Sequence, residues 1–218
     1  MKTFFGDRPR CYRCYRPKNS CMCEFVHVVD TKTKFVILMH PKEFKKVKNG
    51  TGHLTHLSLN NSELFVGIDF TCHRAVNEII STHDSYVLYP SKESLNLSKT
   101  TISSDNRVAI FIIDSTWACS LKMLRESKNL QALKHISFDS TRLSQFKIKQ
   151  QPAEFCLSTI ESTLSVLELL DMWNIESLTK SDVDNFLNPF KKMIAYQQKI
   201  IANPQSNAVR FRFKKAFK

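Results

Sequence analysis

Glycine is the scarcest feature of this chain. It has 218 residues and only four glycines, Gly6, Gly50, Gly52 and Gly67, against a usual share of about 7 %. No three of them form G-x-G-x-x-G, and no G-x-x-x-x-G-K-[ST] occurs. The glycine-rich phosphate cradles of dinucleotide-binding folds and P-loop NTPases are therefore excluded. Any nucleotide-like cofactor must be held by another kind of backbone. Long apolar runs are missing too, none approaching the roughly 18 residues of a membrane span. The opening Met1-Lys2-Thr3-Phe4-Phe5-Gly6-Asp7-Arg8 lacks the apolar core of a signal peptide. The expectation is a cytoplasmic protein with no membrane association, in a setting where thiols stay reduced. Acids are in the minority, 20 against 32 Lys plus Arg, for a formal net charge of +12. That charge points to a polyanionic partner, nucleic acid first and an anionic membrane surface second.

What is present supports a packed core. Hydrophobic residues make up 42 % of the chain, including 16 Phe, so disorder is ruled out. Short apolar runs bounded by punctuation predict buried strands at Phe35–Met39, Ser62–Val66, Tyr86–Tyr89, Val108–Ile113 and Lys134–Phe138. Helical patterns fall between them at Thr51–Leu59, Cys72–Ile80 and Thr116–Ser127. Residues 91–106 are polar and predict a loop. Ser158–Asp171 carries a capping box, Ser158 with Glu161, and a stripe of Ile160, Leu164, Leu167 and Leu170. Ser181–Ala202 predicts a further helix, broken or kinked at Pro189. The alternation implies a mostly parallel sheet covered on both faces. Ligands of such sheets bind beyond the carboxyl ends of the strands. Three strand ends carry polar or proline-containing punctuation: His40-Pro41-Lys42-Glu43, Leu88-Tyr89-Pro90 and Asp114-Ser115-Thr116-Trp117.

Cys11, Cys14, Cys21 and Cys23 form C-x2-C-x6-C-x-C within 13 residues. Two such pairs can complete a tetrahedral shell of four sulfurs, for which Zn²⁺ is the expected ion and an iron–sulfur cluster the weaker option. A four-thiolate site has no open position, so its metal is structural. The remaining Cys72, Cys119 and Cys156 sit in apolar contexts and read as core. His53 and His56 lack a third ligand and read as surface residues.

Five motifs in one order then carry a resemblance. They are the cysteine cluster, His40-Pro41-Lys42-Glu43, Leu88-Tyr89-Pro90, Asp114-Ser115-Thr116-Trp117 and Ser158-Thr159-Ile160-Glu161-Ser162. Over roughly residues 8 to 171 the chain resembles the DTW-domain family of tRNA-uridine aminocarboxypropyltransferases. The resemblance implies an α/β, SPOUT-like fold with a knotted carboxyl half. With the cysteine-rich start and the basic end read from composition, the chain divides into a four-cysteine zinc-knuckle segment at 1–30, a catalytic domain at 31–175, and a helical extension with a basic tail at 176–218. The resemblance implies S-adenosylmethionine as substrate, transfer of its 3-amino-3-carboxypropyl group to N3 of a tRNA uridine, and 5′-methylthioadenosine as by-product. Two positions depart from the family pattern: Ser115, where Gly is frequent, and Ser162, where the motif usually ends in Ala. A Ser-Tyr segment followed by basic residues is represented by Ser144-Gln145-Phe146-Lys147.

With that reaction in view, Asp114 is the candidate base or orienting group for uracil N3–H, its alternative being the cap of the helix that begins near Thr116. Trp117 would stack on adenine or on a flipped-out uracil, or anchor the core. Ser115 and Thr116 offer hydroxyls and N–H groups to a carboxylate. Leu88, Tyr89, Pro90 and Leu157 would wall the adenosine pocket. Ser158, Thr159 and Glu161 either cap their helix or close it over the cofactor, and His40 stands at a strand end nearby. The expected RNA contacts are Arg10, Arg13 and Arg16 around the cysteines, Lys42, Lys45, Lys46 and Lys48 after the His-Pro motif, and Arg210, Arg212, Lys214 and Lys215 in the tail. The partner expected is tRNA, the protein a monomer without an obligate protein partner. Competing readings are a SPOUT-type RNA methyltransferase and a non-catalytic zinc-ribbon RNA-binding protein.

Overall fold

The architecture follows from strands that are apolar on both faces. The computed structural model describes residues 9–45, 49–102, 107–140, 142–146 and 156–203. Among these, six strands form one sheet: β1 (Lys34–Met39), β2 (Ser62–Val66), β3 (Asp84–Leu88), β4 (Leu95–Asn96), β5 (Val108–Asp114) and β6 (Lys134–Ser137). Their order is β2-β1-β5-β3-β6-β4, and every pairing is parallel. Parallel strands need crossovers, and helices supply most of them. The helices between strands are α1 (Pro41–Lys45), α2 (Gly52–Leu57), α3 (Arg74–Thr82), α4 (Trp117–Glu126) and α5 (Lys128–Gln131); α6 (Thr159–Met172), α7 (Lys180–Asn185) and α8 (Asn188–Ile201) follow the last strand.

Alternation along β5 divides the core. Ile110 and Ile112 face one cluster with Phe35, Ile160, Leu164, Leu167, Phe186 and Phe190. Ala109 and Phe111 face the other, with Val36, Leu38, Val76 and Met123. Each fully buried side chain of this size contributes roughly 1.5–3 kcal/mol, which is why the central strand carries no charge before Asp114. Met22, from the cysteine segment, shares the first cluster with Met193 of α8. The carboxylate of Glu176 accepts the backbone N–H groups of Lys32 and Thr33 at 3.1 and 2.6 Å, fastening the entry of β1 to the turn after α6.

The strands predicted from the sequence are all present, and α6 begins at the expected capping box. Four expectations are corrected. The stretch 181–202 is two helices, α7 and α8, with Pro189 in the first turn of the second. Proline is tolerated there because that N–H has no intrahelical acceptor. The 91–106 loop contains the short strand β4. Of the three cysteines read as core, Cys72 is exposed, and Cys119 and Cys156 are half-buried. His53 is buried at 4 % exposure and His56 half-buried, because α2 packs its first turns against β1 and α6. No described helix is long and apolar enough to cross a membrane.

Candidate active site and metal centre

Parallel pairing brings the carboxyl ends of β1, β3, β5 and β6 to one edge of the sheet. Met39 stands opposite Asp114, and Leu88 opposite Ile112 and Ile136. A cleft of about 530 Å³ opens there, within the usual range for small-molecule sites. Its walls include Leu88, Tyr89, Pro90, Ser115, Trp117, Leu157 and Thr159, seven residues that the sequence marked. The end of β6 adds Phe138, Asp139 and Ser140. The sequence reading passed over them, although the rule that singled out the other strand ends applies equally to this one.

Two aromatic rings stand at the cleft. The Tyr89 ring meets Trp117 edge-on at 6.2 Å and His135 at 6.0 Å. Trp117 is 48 % exposed, so it is a cleft wall and not a core anchor. It opens α4, whose N-cap is Thr116. Ser115 Oγ lies 2.6 Å from Ser120 Oγ and donates to the Thr116 carbonyl at 3.1 Å.

Asp114 lies just behind this wall, 6 % exposed. It does not hold the N-cap position of α4. Its Oδ1 accepts the Thr159 hydroxyl at 2.6 Å, and Thr159 itself faces the cleft. Gly52 fits against the other side of the carboxylate. A Cβ added there would collide with the carboxylate oxygen and come within 2.7 Å of both Asp114 Cγ and Met39 Cε. Glycine's missing side chain is thus what admits the carboxylate at this point.

The other marked residues take different places. Glu161 is buried, and its carboxylate accepts the Ser158 N–H and hydroxyl at 2.8 and 2.6 Å, the Ser144 hydroxyl at 2.9 Å and the Gln145 N–H at 2.7 Å. Four donors occupy it, and neither it nor Ser158 is a wall of the cleft. His40 is buried on the β1 side: its N–H donates to the Asp114 carbonyl at 3.1 Å, and its Nδ1 accepts the Lys42 N–H at 3.1 Å. That bond fixes the start of α1.

The four cysteine sulfurs all lie within 4.8 Å of one another. Cys11 to Cys23 and Cys14 to Cys21 are each 3.7 Å. A tetrahedron with Zn–S bonds of about 2.3 Å has edges of about 3.8 Å, so the donor set fits Zn²⁺. Backbone donors at Cys14 pull the Cys11 thiol down to about 6, whereas burial pushes the Cys21 and Cys23 thiols up, so the metal itself must favour their thiolate forms. Tyr15, at φ 57°, takes the left-handed turn that closes the first knuckle.

The basic rim divides on inspection. Arg10, Arg13, Lys42 and Lys45 are exposed. Lys46, Lys48, Arg210, Arg212, Lys214 and Lys215 lie outside the described residues. Arg16 is fully buried, so the expected phosphate contact is corrected: no RNA reaches it. The sequence also missed an aromatic group joining the knuckle to the sheet edge. The rings of Tyr15, Phe44 and His53 meet pairwise at 4.9 to 5.7 Å.

Comparison with known proteins identifies the family. The family model described as the DTW domain matches residues 8–198. The proteins named tRNA-uridine aminocarboxypropyltransferase 2 from Macaca fascicularis and Mus musculus are each 28 % identical over 196 residues, covering 87 % of this chain. The protein of that name from Drosophila melanogaster is 29 % identical over 171 residues, covering 75 % of this chain and 67 % of its own. The chain spans 64 % of the length of the macaque and mouse relatives. No solved structure gives a significant match.

Proposed function

The chain belongs to the DTW-domain family, and from that premise we propose that it transfers the 3-amino-3-carboxypropyl group of S-adenosylmethionine to N3 of a tRNA uridine. The observation that carries this reading is the cleft itself. Leu88 to Pro90, Ser115 with Trp117, and Leu157 with Thr159 come from three distant stretches and line one cavity backed by Asp114. The relatives' names supply the substrate class.

The residues divide the work as follows. Tyr89 and Trp117 present aromatic faces on which an adenine or uracil stacks. Ser115 offers the methionine carboxylate a backbone N–H and a hydroxyl that turns to it from the Thr116 carbonyl. S-adenosylmethionine supplies an electrophilic γ-methylene beside a sulfonium. The new bond joins uracil N3 to that carbon, the carbon–sulfur bond breaks, and its electron pair leaves on a neutral thioether, 5′-methylthioadenosine. Uracil N3–H is a weak acid, so a carboxylate assists its loss. Asp114 supplies the acceptor through Thr159, whose hydroxyl faces the cleft: it takes the N3 proton while passing its own to the Asp114 carboxylate. Arg10, Arg13, Lys42 and Lys45 present exposed charge to tRNA phosphates. Cys11, Cys14, Cys21 and Cys23 hold a structural Zn²⁺. The knotted carboxyl half of SPOUT-like proteins belongs to the same reading. Its support is the family membership; the strand order, with β5 between β1 and β3, is that of a doubly wound parallel sheet. The expected setting is cytoplasmic, with tRNA as the partner of a monomer.

The test is product analysis on mixing the protein with S-adenosylmethionine and unmodified tRNA. Release of 5′-methylthioadenosine is expected. Release of S-adenosylhomocysteine would instead identify a methyltransferase. Salt-dependent tRNA binding without affinity for S-adenosylmethionine would identify a non-catalytic RNA-binding protein.

A further inference from the structure

Arg16 is among the largest fully buried side chains in the molecule. Its Nη2 donates to the Gly50 carbonyl at 2.6 Å and lies 3.3 Å from Met193 Sδ. Its Nε and Nη1 are buried without an oxygen or nitrogen acceptor among the described residues. Its backbone carbonyl accepts the Cys11 N–H at 2.7 Å, so the side chain starts within the knuckle, and there the thiols of Cys14, Cys23 and Cys21 favour its charge against the burial that opposes it. A buried guanidinium with one carbonyl is costly unless it is balanced by anions. Four neutral thiols cannot balance it. Four thiolates on a divalent ion can, because that unit carries net negative charge.

We propose that Arg16 is the counter-cation of the metal–thiolate centre, and that it ties the centre to the turn that seats Asp114. The second half follows from chain order. Gly50, whose carbonyl Arg16 holds, is two residues before Gly52, which abuts the Asp114 carboxylate. Tyr15, next to Arg16, packs its ring on His53, next to Gly52. Both contacts press the same turn against the end of β5. Arg16 is thus a positioning residue. It touches no substrate, and through Gly50 it fixes the floor beneath Asp114. This inference rests on the zinc reading of the cysteine cluster.

The experiment uses the full chain. Wild type, Arg16→Met and Arg16→Lys are purified without added zinc, assayed for metal content, and titrated with a chromogenic chelator. Wild type should hold one equivalent. Arg16→Met should lose metal affinity about 10- to 100-fold, the usual effect of removing a group that supports metal ligands. Arg16→Lys, which restores the charge, should recover most of that loss. A wild type that binds no metal refutes the zinc reading. A metal-bound wild type with an equally tight Arg16→Met refutes the proposal alone. A second measurement needs no variant: hydrogen exchange of wild type before and after chelation. The peptide spanning 50–57 should exchange at least about tenfold faster once the metal is gone, while β3 keeps its rate. Unchanged exchange in 50–57 after metal loss overturns the tie between the centre and the turn.

Discussion

Asp114 has two neighbourhoods built on opposite plans. On the knuckle side, four cysteines fall within 13 residues, a cation is sealed beneath them, and glycine lets backbone close on the carboxylate. On the cleft side, the walls come from the ends of β3, β5 and β6 and the start of α6. That side is open, and its tryptophan is half exposed. On the proposed reading the closed side holds geometry and the open side exchanges ligands. A four-thiolate ion has no vacant position for chemistry, and rigid support around a reacting group is what lets a cleft accelerate a reaction. Under the proposed function, the division of labour is between a neighbourhood that must not move and one that must admit a nucleotide and a base.

The largest expected effect lies at the junction. Asp114→Ala should lower 5′-methylthioadenosine formation by about 10² to 10⁴, the usual worth of a positioned acid or base. Affinity for tRNA should stay within about threefold, because the exposed cations are untouched. Asp114→Asn keeps the shape and the bond to Thr159, and should be nearly as inactive. Activity within about tenfold of wild type in the Asn variant would remove Asp114 from the chemistry and break the comparison at its centre.

The two sides also differ in how far the sequence revealed them. The C-x2-C-x6-C-x-C cluster and the Ser158–Glu161 box are local, so spacing sufficed. The strand ends at Leu88 and Asp114 followed from hydrophobic runs that stop at punctuation. Yet the Thr159 bond to Asp114 spans 45 residues, and nothing in the local pattern around Gly52 marks its fit against the same carboxylate. Arg16 misled because it sits in a run of arginines, and burial depends on how the knuckle docks on Gly50 and Met193. Cys72 misled in the opposite sense: it precedes α3 on an exposed turn, where apolar neighbours in sequence are not neighbours in space. Phe138 to Ser140 were readable from the strand-end rule and were simply passed over.

A smaller effect separates support from chemistry. Gly52→Ala places a methyl against Asp114 and Met39. Overpacking of this kind costs about 1–3 kcal/mol, seen as a lower midpoint in denaturant. Turnover should fall further than stability alone explains, by about 10- to 100-fold, because the carboxylate itself must shift. Gly67→Ala is the matched control, with a Cβ 3.0 Å from the Phe70 ring and no contact with Asp114. It should lose stability and keep its turnover once folded. Equal turnover in the two variants would mean that the knuckle side holds the fold together without steering the site.

The smallest effect concerns acid. Burial, with Arg16 and His56 nearby, lowers His53 from 6.5 to about 4. The folded state therefore binds fewer protons than the unfolded chain between these values, so stability rises with pH across that window. It is complete above about pH 6.5 and is lost progressively as the pH falls toward about 4. Burial lowers His56 in the same direction. Thiolate protonation and metal release also weaken the knuckle in acid, so wild type alone cannot isolate the imidazole. The comparison is with His53→Phe, measured by denaturant unfolding at about pH 7 and about pH 4.5 on proteins of equal metal content. Losses common to both proteins cancel, and the Phe variant should lose less stability on acidification because a phenylalanine takes up no proton when the chain unfolds. An identical acid loss in the two proteins would place the knuckle's pH sensitivity in the thiolates alone and leave His53 as packing between Tyr15 and Phe44.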